Sequence, residues 1–398
     1  MKLNQNFSKL GDNYLFAEVE RRVTAYKTEF PQADVISLGI GDVTQPLSMK
    51  VVDACKNAAT ELSMRAGFRG YGPYDGYPFL KNAIIDYYKL RGIDNIHPDE
   101  VFVTDGAKNG IGNFLDLFSP KCTVLIPDPV YPAYVDANVM AGHKIIYLDG
   151  RENNFLPMPP ARVKADIIYI CSPNNPTGAA YTVEQLKAWV DYALDTDAVI
   201  LYDAAYESYI EGSDAARSIF QVTGARDCAV EICSFSKMSG FTGVRCGWNI
   251  IPMNSPLNRM WLRRQAVKFN GTSYVVQRMA ESALRGGYED TKKMVEVYRS
   301  NAKLIIKLFD KLKIQYVGGV HAPYVWFYTG VDSWEFFDYL LKKARIVSTP
   351  GSGFGKNCNG WMRITSFNTP ERTAEAVKRF ETFWKEFVEV KDKVLTCL

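Results

Sequence analysis

Short apolar runs alternate with amphipathic stretches along most of the chain, which predicts strands and helices in turn. Val101–Thr104, Thr123–Ile126, Lys144–Leu148, Asp166–Cys171, Ala198–Asp203 and Cys228–Cys233 read as strands. Helices are predicted from about Ser48, where Val51, Val52, Ala54, Cys55 and Ala58 share a face, over 77–91, and over 183–194. The last is opened by a capping box, Thr182-Val183-Glu184-Gln185. This alternation over 95–250 predicts an α/β fold with a mostly parallel sheet and ligands at its carboxyl edge. Beyond 287 the pattern changes. A long helix over roughly 288–313 precedes strands at 324–329, 345–349 and 361–366, which alternate with helices 333–344 and 370–388. Thr369-Pro370-Glu371 is a good helix start. These features predict a smaller α+β domain. The expected division is 1–47 as an N-terminal arm and part of the small domain, 48–287 as the large domain, and 288–398 as the C-terminal small domain.

Composition narrows the class without adding chemistry. A chain of 398 residues, 47% apolar and 23% charged, is ordinary for a globular protein of two or three domains. A net charge of +3 predicts no nucleic-acid partner and no membrane surface. No apolar run approaches the roughly 18 residues of a membrane span, and Met1–Asn6 lacks the apolar core of a secretory signal. The eight cysteines form no CxxC pair, and Cys122, Cys171 and Cys233 fall in strands as buried thiols. A reduced, cytoplasmic setting follows. His97, His143 and His321 lie far apart, so no metal site is expected. The tail Lys391–Leu398 reads as frayed, and Cys397 does not fit a prenylation box.

Candidate chemistry centres on Ser234-Phe235-Ser236-Lys237, with Arg245 eight residues further on among glycines. A strand here gives way to a glycine-rich turn. The arrangement points to a lysine amine that bonds a carbonyl cofactor, with Ser234, Ser236 and Arg245 on that cofactor's phosphate. Asp105-Gly106-Ala107-Lys108 is a tight turn into a helix, whose free N–H groups favour a phosphate. Pro129-Val130-Tyr131-Pro132 can fix an aromatic ring for stacking. Asn175 and Asp203 each stand at or just past a strand's carboxyl end; Asp203 is either a helix cap or the partner of a cation. Arg363, in an apolar strand, needs an anionic partner, structural or substrate. Gly41 either lets backbone approach a ligand or makes a turn. Tyr71, between two glycines, is expected to be exposed.

Taken in order, Asn175 in N-N-P-T-G, Asp203 and Tyr206 in Y-D-A-A-Y, Lys237 in S-F-S-K, Arg245 and Arg363 resemble the pyridoxal-phosphate aminotransferases of fold type I, the aspartate aminotransferase-like fold. The resemblance runs nearly end to end. Gly39–Pro46, Asp105–Lys108, Cys171–Gly178 and Lys268–Tyr274 resemble in particular the LL-diaminopimelate aminotransferase family. Met238-Ser239 departs locally from the pair expected after the lysine. The resemblance implies pyridoxal 5′-phosphate bound by Lys237 as a Schiff base. It implies Asp203 on the pyridine nitrogen, Asn175 and Tyr206 on the phenolic oxygen, and Tyr131 stacked on the ring. Ser234, Ser236, Arg245, Ala107 and Lys108 are implied on the phosphate, with Tyr71 from the second subunit of a homodimer with shared sites. Lys237, Asp203 and Tyr206 are the implied catalytic set. Arg363 is implied on the substrate's α-carboxylate. Tyr14, Gly41, Lys108, Tyr131, Asn175 and Asn270 are implied contacts to the substrate, with Asn270 also at the cofactor. The implied reaction exchanges an amino group between LL-2,6-diaminopimelate and 2-oxoglutarate, in lysine and diaminopimelate biosynthesis. The alternatives are an aspartate or aromatic aminotransferase, or a lyase using the same cofactor.

Overall fold

The computed structural model describes residues 1–11 and 14–395, with side chains as far as Glu389. The strands in chain order are β1 (Ile36–Ser37), β2 (Val101–Thr104), β3 (Thr123–Asp128), β4 (Lys144–Asp149), β5 (Ile167–Cys171), β6 (Val199–Asp203), β7 (Ala229–Ser234), β8 (Gly247–Ile250), β9 (Tyr316–Gly318), β10 (Tyr324–Tyr328), β11 (Ile346–Val347), β12 (Thr349–Pro350) and β13 (Trp361–Thr365).

β2 to β8 form one seven-stranded sheet in the order β2-β8-β7-β6-β5-β3-β4. The pairs from β4 through β7 are parallel, and only β8 runs against its neighbours. β5, β6 and β7 are buried on both faces, as central parallel strands must be when helices cover both sides. Two apolar cores therefore flank the sheet. One contains Leu80, Ile84, Trp189 and Trp248, the other Phe114, Tyr134, Tyr169 and Trp261. Register sets the site: Cys171 pairs with Asp203, and Asp203 with Ile232, so the ends of β5, β6 and β7 lie together.

The second body is a four-stranded antiparallel sheet, β12-β13-β10-β9, with the β1–β11 pair beside it. Its core is aromatic. Phe327, Phe336, Phe380, Phe383 and Trp384 pack between the sheet and the helices Ser333–Ala344 and Pro370–Leu395. Each such ring contributes about 1.5–3 kcal/mol over an exposed one. Leu15, Val19, Ile36 and Leu38 join this core, so the N-terminal segment packs with the C-terminal third.

The predicted elements are present, with shifted ends. The strand read over 345–349 divides into β11 and β12, with Ser348 between them. The last helix continues to Leu395 rather than 388. Residues 396–398 of the expected frayed tail, Cys397 among them, lie outside the described residues. The capping box forms as read, with Thr182 Oγ1 accepting from Gln185 N (3.1 Å) and Gln185 Oε1 accepting from Thr182 N (3.0 Å). Among the described residues, no helix is long and apolar enough to cross a membrane, and no three metal-type side chains cluster.

Candidate active site

A cleft of about 470 Å³ opens where the carboxyl ends of β5, β6 and β7 face β13 and the Gly41 turn. It gathers Gly41, Ala107, Lys108, Tyr131, Asn175, Asp203, Tyr206, Ser234, Ser236, Lys237, Arg245 and Arg363 from segments spread over more than 300 residues.

Lys237 stands at its floor. The sequence reads as a glycine-rich turn here, but Phe235–Met238 folds as one helical turn directly after β7. Ser234 causes this, because its hydroxyl accepts from Ser236 N (3.1 Å) and caps the turn. The lysine side chain is half-buried, and its Nζ donates to Gly41 O. Desolvation lowers the ammonium's pKa to about 8; nearby Asp42 opposes that shift, while Arg363 and Arg245 add to it. The neutral amine is therefore reached at lower pH than for an exposed lysine, ready to act as nucleophile or base.

Asp203 ends β6 and is buried. Its Oδ2 accepts from Tyr134 OH (2.5 Å) and its Oδ1 from Ala205 N (3.0 Å). Burial raises its pKa to about 6, although both hydrogen bonds oppose the rise. Among the described residues no cation contacts it. Arg363 shows the reverse. It is 1% exposed, donates to Asn175 Oδ1 and Gly39 O (2.6 Å each), and has no carboxylate in ion-pair range among the described residues. Its guanidinium lies 4.5 Å from the Tyr324 ring and 4.9 Å from Phe354, and Nε is unpartnered. A buried carboxylate without a cation and a buried guanidinium without an anion, in one cleft, are costly unless ligands complete them.

The other groups follow from this frame. Because Asn175 Oδ1 is turned to Arg363, its Nδ2 remains as a donor. Tyr206 OH shares a 2.8 Å hydrogen bond with Tyr324 OH, and burial raises the Tyr206 pKa well above its usual value. Arg245 Nη1 reaches Ser236 Oγ at 3.5 Å, next to the start of the helix Ala107–Asn113. Gly106 has φ 130°, and a Cβ there would lie 2.7 Å from Arg245 Nη2, so the turn needs glycine. At Gly41 a Cβ would meet Tyr324 OH at 2.4 Å; the close approach expected there is to a tyrosine as well as to Lys237.

Three expected contacts lie outside the cleft. Tyr14 lines an adjoining cavity of about 870 Å³, which shares Lys108 with the cleft. Lys108 Nζ sits between the Tyr131 and Tyr14 rings, at 5.6 and 6.0 Å. Tyr71 is 91% exposed, as read from its flanking glycines. Asn270 is exposed with φ 68°, on a turn packed against the Tyr71 loop: a Cβ at Gly271 would lie 3.1 Å from Pro73 O. Tyr134 and Tyr324 were not anticipated from the sequence. Neither carries a local motif, and each matters only through a partner distant in the chain.

The residues fit pyridoxal 5′-phosphate. Asp203 matches a protonated ring nitrogen, Asn175 and Tyr206 a phenolic oxygen, and Ser234, Ser236, Arg245 and the 107–108 amides a phosphate. Residues 33–380 match the family described as aminotransferase class I and II, and the chain belongs to that family. Class I aminotransferases work with this cofactor. The likeness narrows further to proteins named LL-diaminopimelate aminotransferase. That of Methanosphaera stadtmanae is 47% identical, over 95% of this chain and 98% of its own. That of Desulfosudis oleivorans is 45% identical, over 97% of this chain and 100% of its own. The solved L,L-diaminopimelate aminotransferase from Chlamydomonas reinhardtii superposes with a TM-score of 0.90 at 38% identity, covering 96% and 98% of the two chains.

Proposed function

We propose that this chain is a pyridoxal-phosphate transaminase that exchanges an amino group between LL-2,6-diaminopimelate and 2-oxoglutarate, giving tetrahydrodipicolinate and glutamate. The observation that carries the transaminase reading is that Arg363, without a carboxylate partner among the described residues, and Asp203, without a cation among them, line the same cleft as Lys237. The choice of substrate rests on the relatives' names.

When bound, the cofactor supplies a carbon that bonds the amine and a ring that takes up the electron pair left at the α-carbon. The chain's own residues do the rest. Arg363 holds the α-carboxylate as a bidentate pair. Lys237 Nζ, neutral in an increasing fraction of molecules as pH passes about 8, takes the α-proton and returns it to the neighbouring carbon. Asp203 keeps a proton on the ring nitrogen, and Asn175 Nδ2 and Tyr206 OH donate to the phenolic oxygen. Tyr131, which lines the cleft, would stack on the ring.

We further propose a homodimer in which each subunit's Tyr71 and Asn270 complete the other's cleft. Their shared exposed surface supports this, with Arg69 over Tyr274 and Glu61 bonded to Tyr274 OH tying the two loops together. We also propose domain limits of 1–47, 48–287 and 288–398; the two main cores support them, although Phe155 packs in the core of the C-terminal body.

Diaminopimelate and glutamate must both place a second carboxylate beyond the reacting carbon. Lys108, at the junction of the two cavities, is a flexible point charge able to meet both. A Lys108→Ala enzyme should show KM raised on the order of tenfold for both donors, as expected for loss of a charge-assisted hydrogen bond, with cofactor content unchanged. Unchanged KM values would confine Lys108 to the phosphate region. The reaction class is tested by adding LL-diaminopimelate alone to the cofactor-loaded enzyme. A transaminase bleaches once and recovers on adding 2-oxoglutarate. Continuous release of keto acid without an acceptor would indicate a lyase.

A further inference from the structure

We propose that Tyr298 and Arg299, consecutive residues of the helix Tyr288–Lys311, are positioning residues for Lys237 that grip the two segments holding its side chain and its backbone. The inference rests on Lys237 being the lysine that carries the cofactor.

Tyr298 acts on the side-chain end. Its ring is fully buried and meets Phe367 edge-on at 4.9 Å, while Phe367 lies 5.4 Å from Lys237 Nζ. Its hydroxyl oxygen accepts from Thr44 N and Gln45 N, both at 2.7 Å. Two backbone donors on one phenol fix the segment that leaves the Gly41 turn, and Gly41 O accepts from Lys237 Nζ. Arg299 acts on the backbone end. Its Nε donates to Tyr209 O (3.3 Å), and its Nη2 to Ser208 O (3.3 Å) and Ile210 O (3.0 Å). The segment so held presents Tyr209 OH to Lys237 O at 2.9 Å. A one-turn helix leaves its last carbonyls without partners, and Tyr209 satisfies this one. Tyr206 lies three residues before Tyr209, at the head of the same turn.

The geometry reaches beyond ordinary packing. The Tyr298 ring fills the core, but its oxygen serves only the loop; Arg299 spends three hydrogen bonds on three successive carbonyls. A lysine that must relay a proton between two adjacent carbons depends on sub-ångström placement. The charged groups facing its amine are Asp42, Arg363 and Arg245, and none is touched by Tyr298 or Arg299.

The test uses Tyr298→Phe and Tyr209→Phe, which keep both rings, with Arg299→Lys and Arg299→Gln beside them. Lys237 reactivity in the cofactor-free protein is measured by competitive acetylation against pH and mass spectrometry. The wild type should titrate with a midpoint near 8. Both Phe variants and Arg299→Gln should move it upward by about half a pH unit or more as water reaches the loosened amine, with Arg299→Lys between. In the loaded enzyme, kcat should fall about tenfold with KM nearly unchanged, as loss of orientation predicts. A wild-type midpoint in both Phe variants, whatever happens to Tm or turnover, overturns the proposal. Absence of transamination in the wild-type protein would count against the function proposed above, and the labelling result would still decide this one.

Discussion

A Lys237→Ala enzyme should bind pyridoxal phosphate, give no borohydride-stable adduct, and lose activity by on the order of 10⁴-fold or more, since nucleophile and proton carrier vanish together. The rest of the binding set survives the change, because Asp203 and Ser234 reach the cleft from β6 and β7, Asn175 and Arg245 from loops elsewhere in the chain, and the turn that carries Ser236 is capped by Ser234. The rival amine is Lys108, the other lysine among the described residues that line the cleft, which stands between Tyr131 and Tyr14. Reduction followed by peptide mapping checks the assignment. Label on Lys108, or normal turnover, would refute it.

Asp203→Asn should lower kcat by about 10²–10³-fold, the scale for removing one pre-oriented electrostatic partner of the reacting centre. The fold should persist, since an amide can still pair with Tyr134 OH and Ala205 N through its two ends. The same change should stabilise the cofactor-free protein. The folded-state pKa of Asp203 is raised to about 6, above the unfolded value near 4. The carboxylate therefore costs nothing below the unfolded pKa. Its cost grows as pH rises between the two values and is fully present above about 6. Asn removes that cost, so the apo variant should gain up to about 3 kcal/mol at pH 7–8. The gain should disappear below about pH 4. Denaturant melts of both apo-proteins across this range measure it, and a variant less stable than wild type at pH 8 would mean that the Tyr134 hydrogen bond outweighs the burial of charge.

What could be read from the sequence was local. Asp203 and Lys237 each follow an apolar run, so the strand that carries them also announces them. Arg363 stood out as a charge inside such a run. Partners could not be read in the same way. Tyr134 reaches Asp203 across 69 residues, and Tyr324 reaches Tyr206 across 118. Only sheet order and the meeting of the two bodies bring them together. The helical turn at Phe235–Met238 was obscured by the glycines beyond it, although the capping serine was in view. Tyr71 and Asn270 were recognised through family resemblance, and in a single chain they lie on the surface.

The central claim is most directly tested by a donor panel with purified, cofactor-loaded enzyme and 2-oxoglutarate, following glutamate formation from LL-diaminopimelate, meso-diaminopimelate, aspartate and phenylalanine. LL-diaminopimelate should support turnover with kcat/KM at least about 10²-fold above aspartate or phenylalanine, well within what a site gains when the wrong substrate leaves its polar groups unpaired. Efficient turnover of aspartate or phenylalanine with none of LL-diaminopimelate would contradict it.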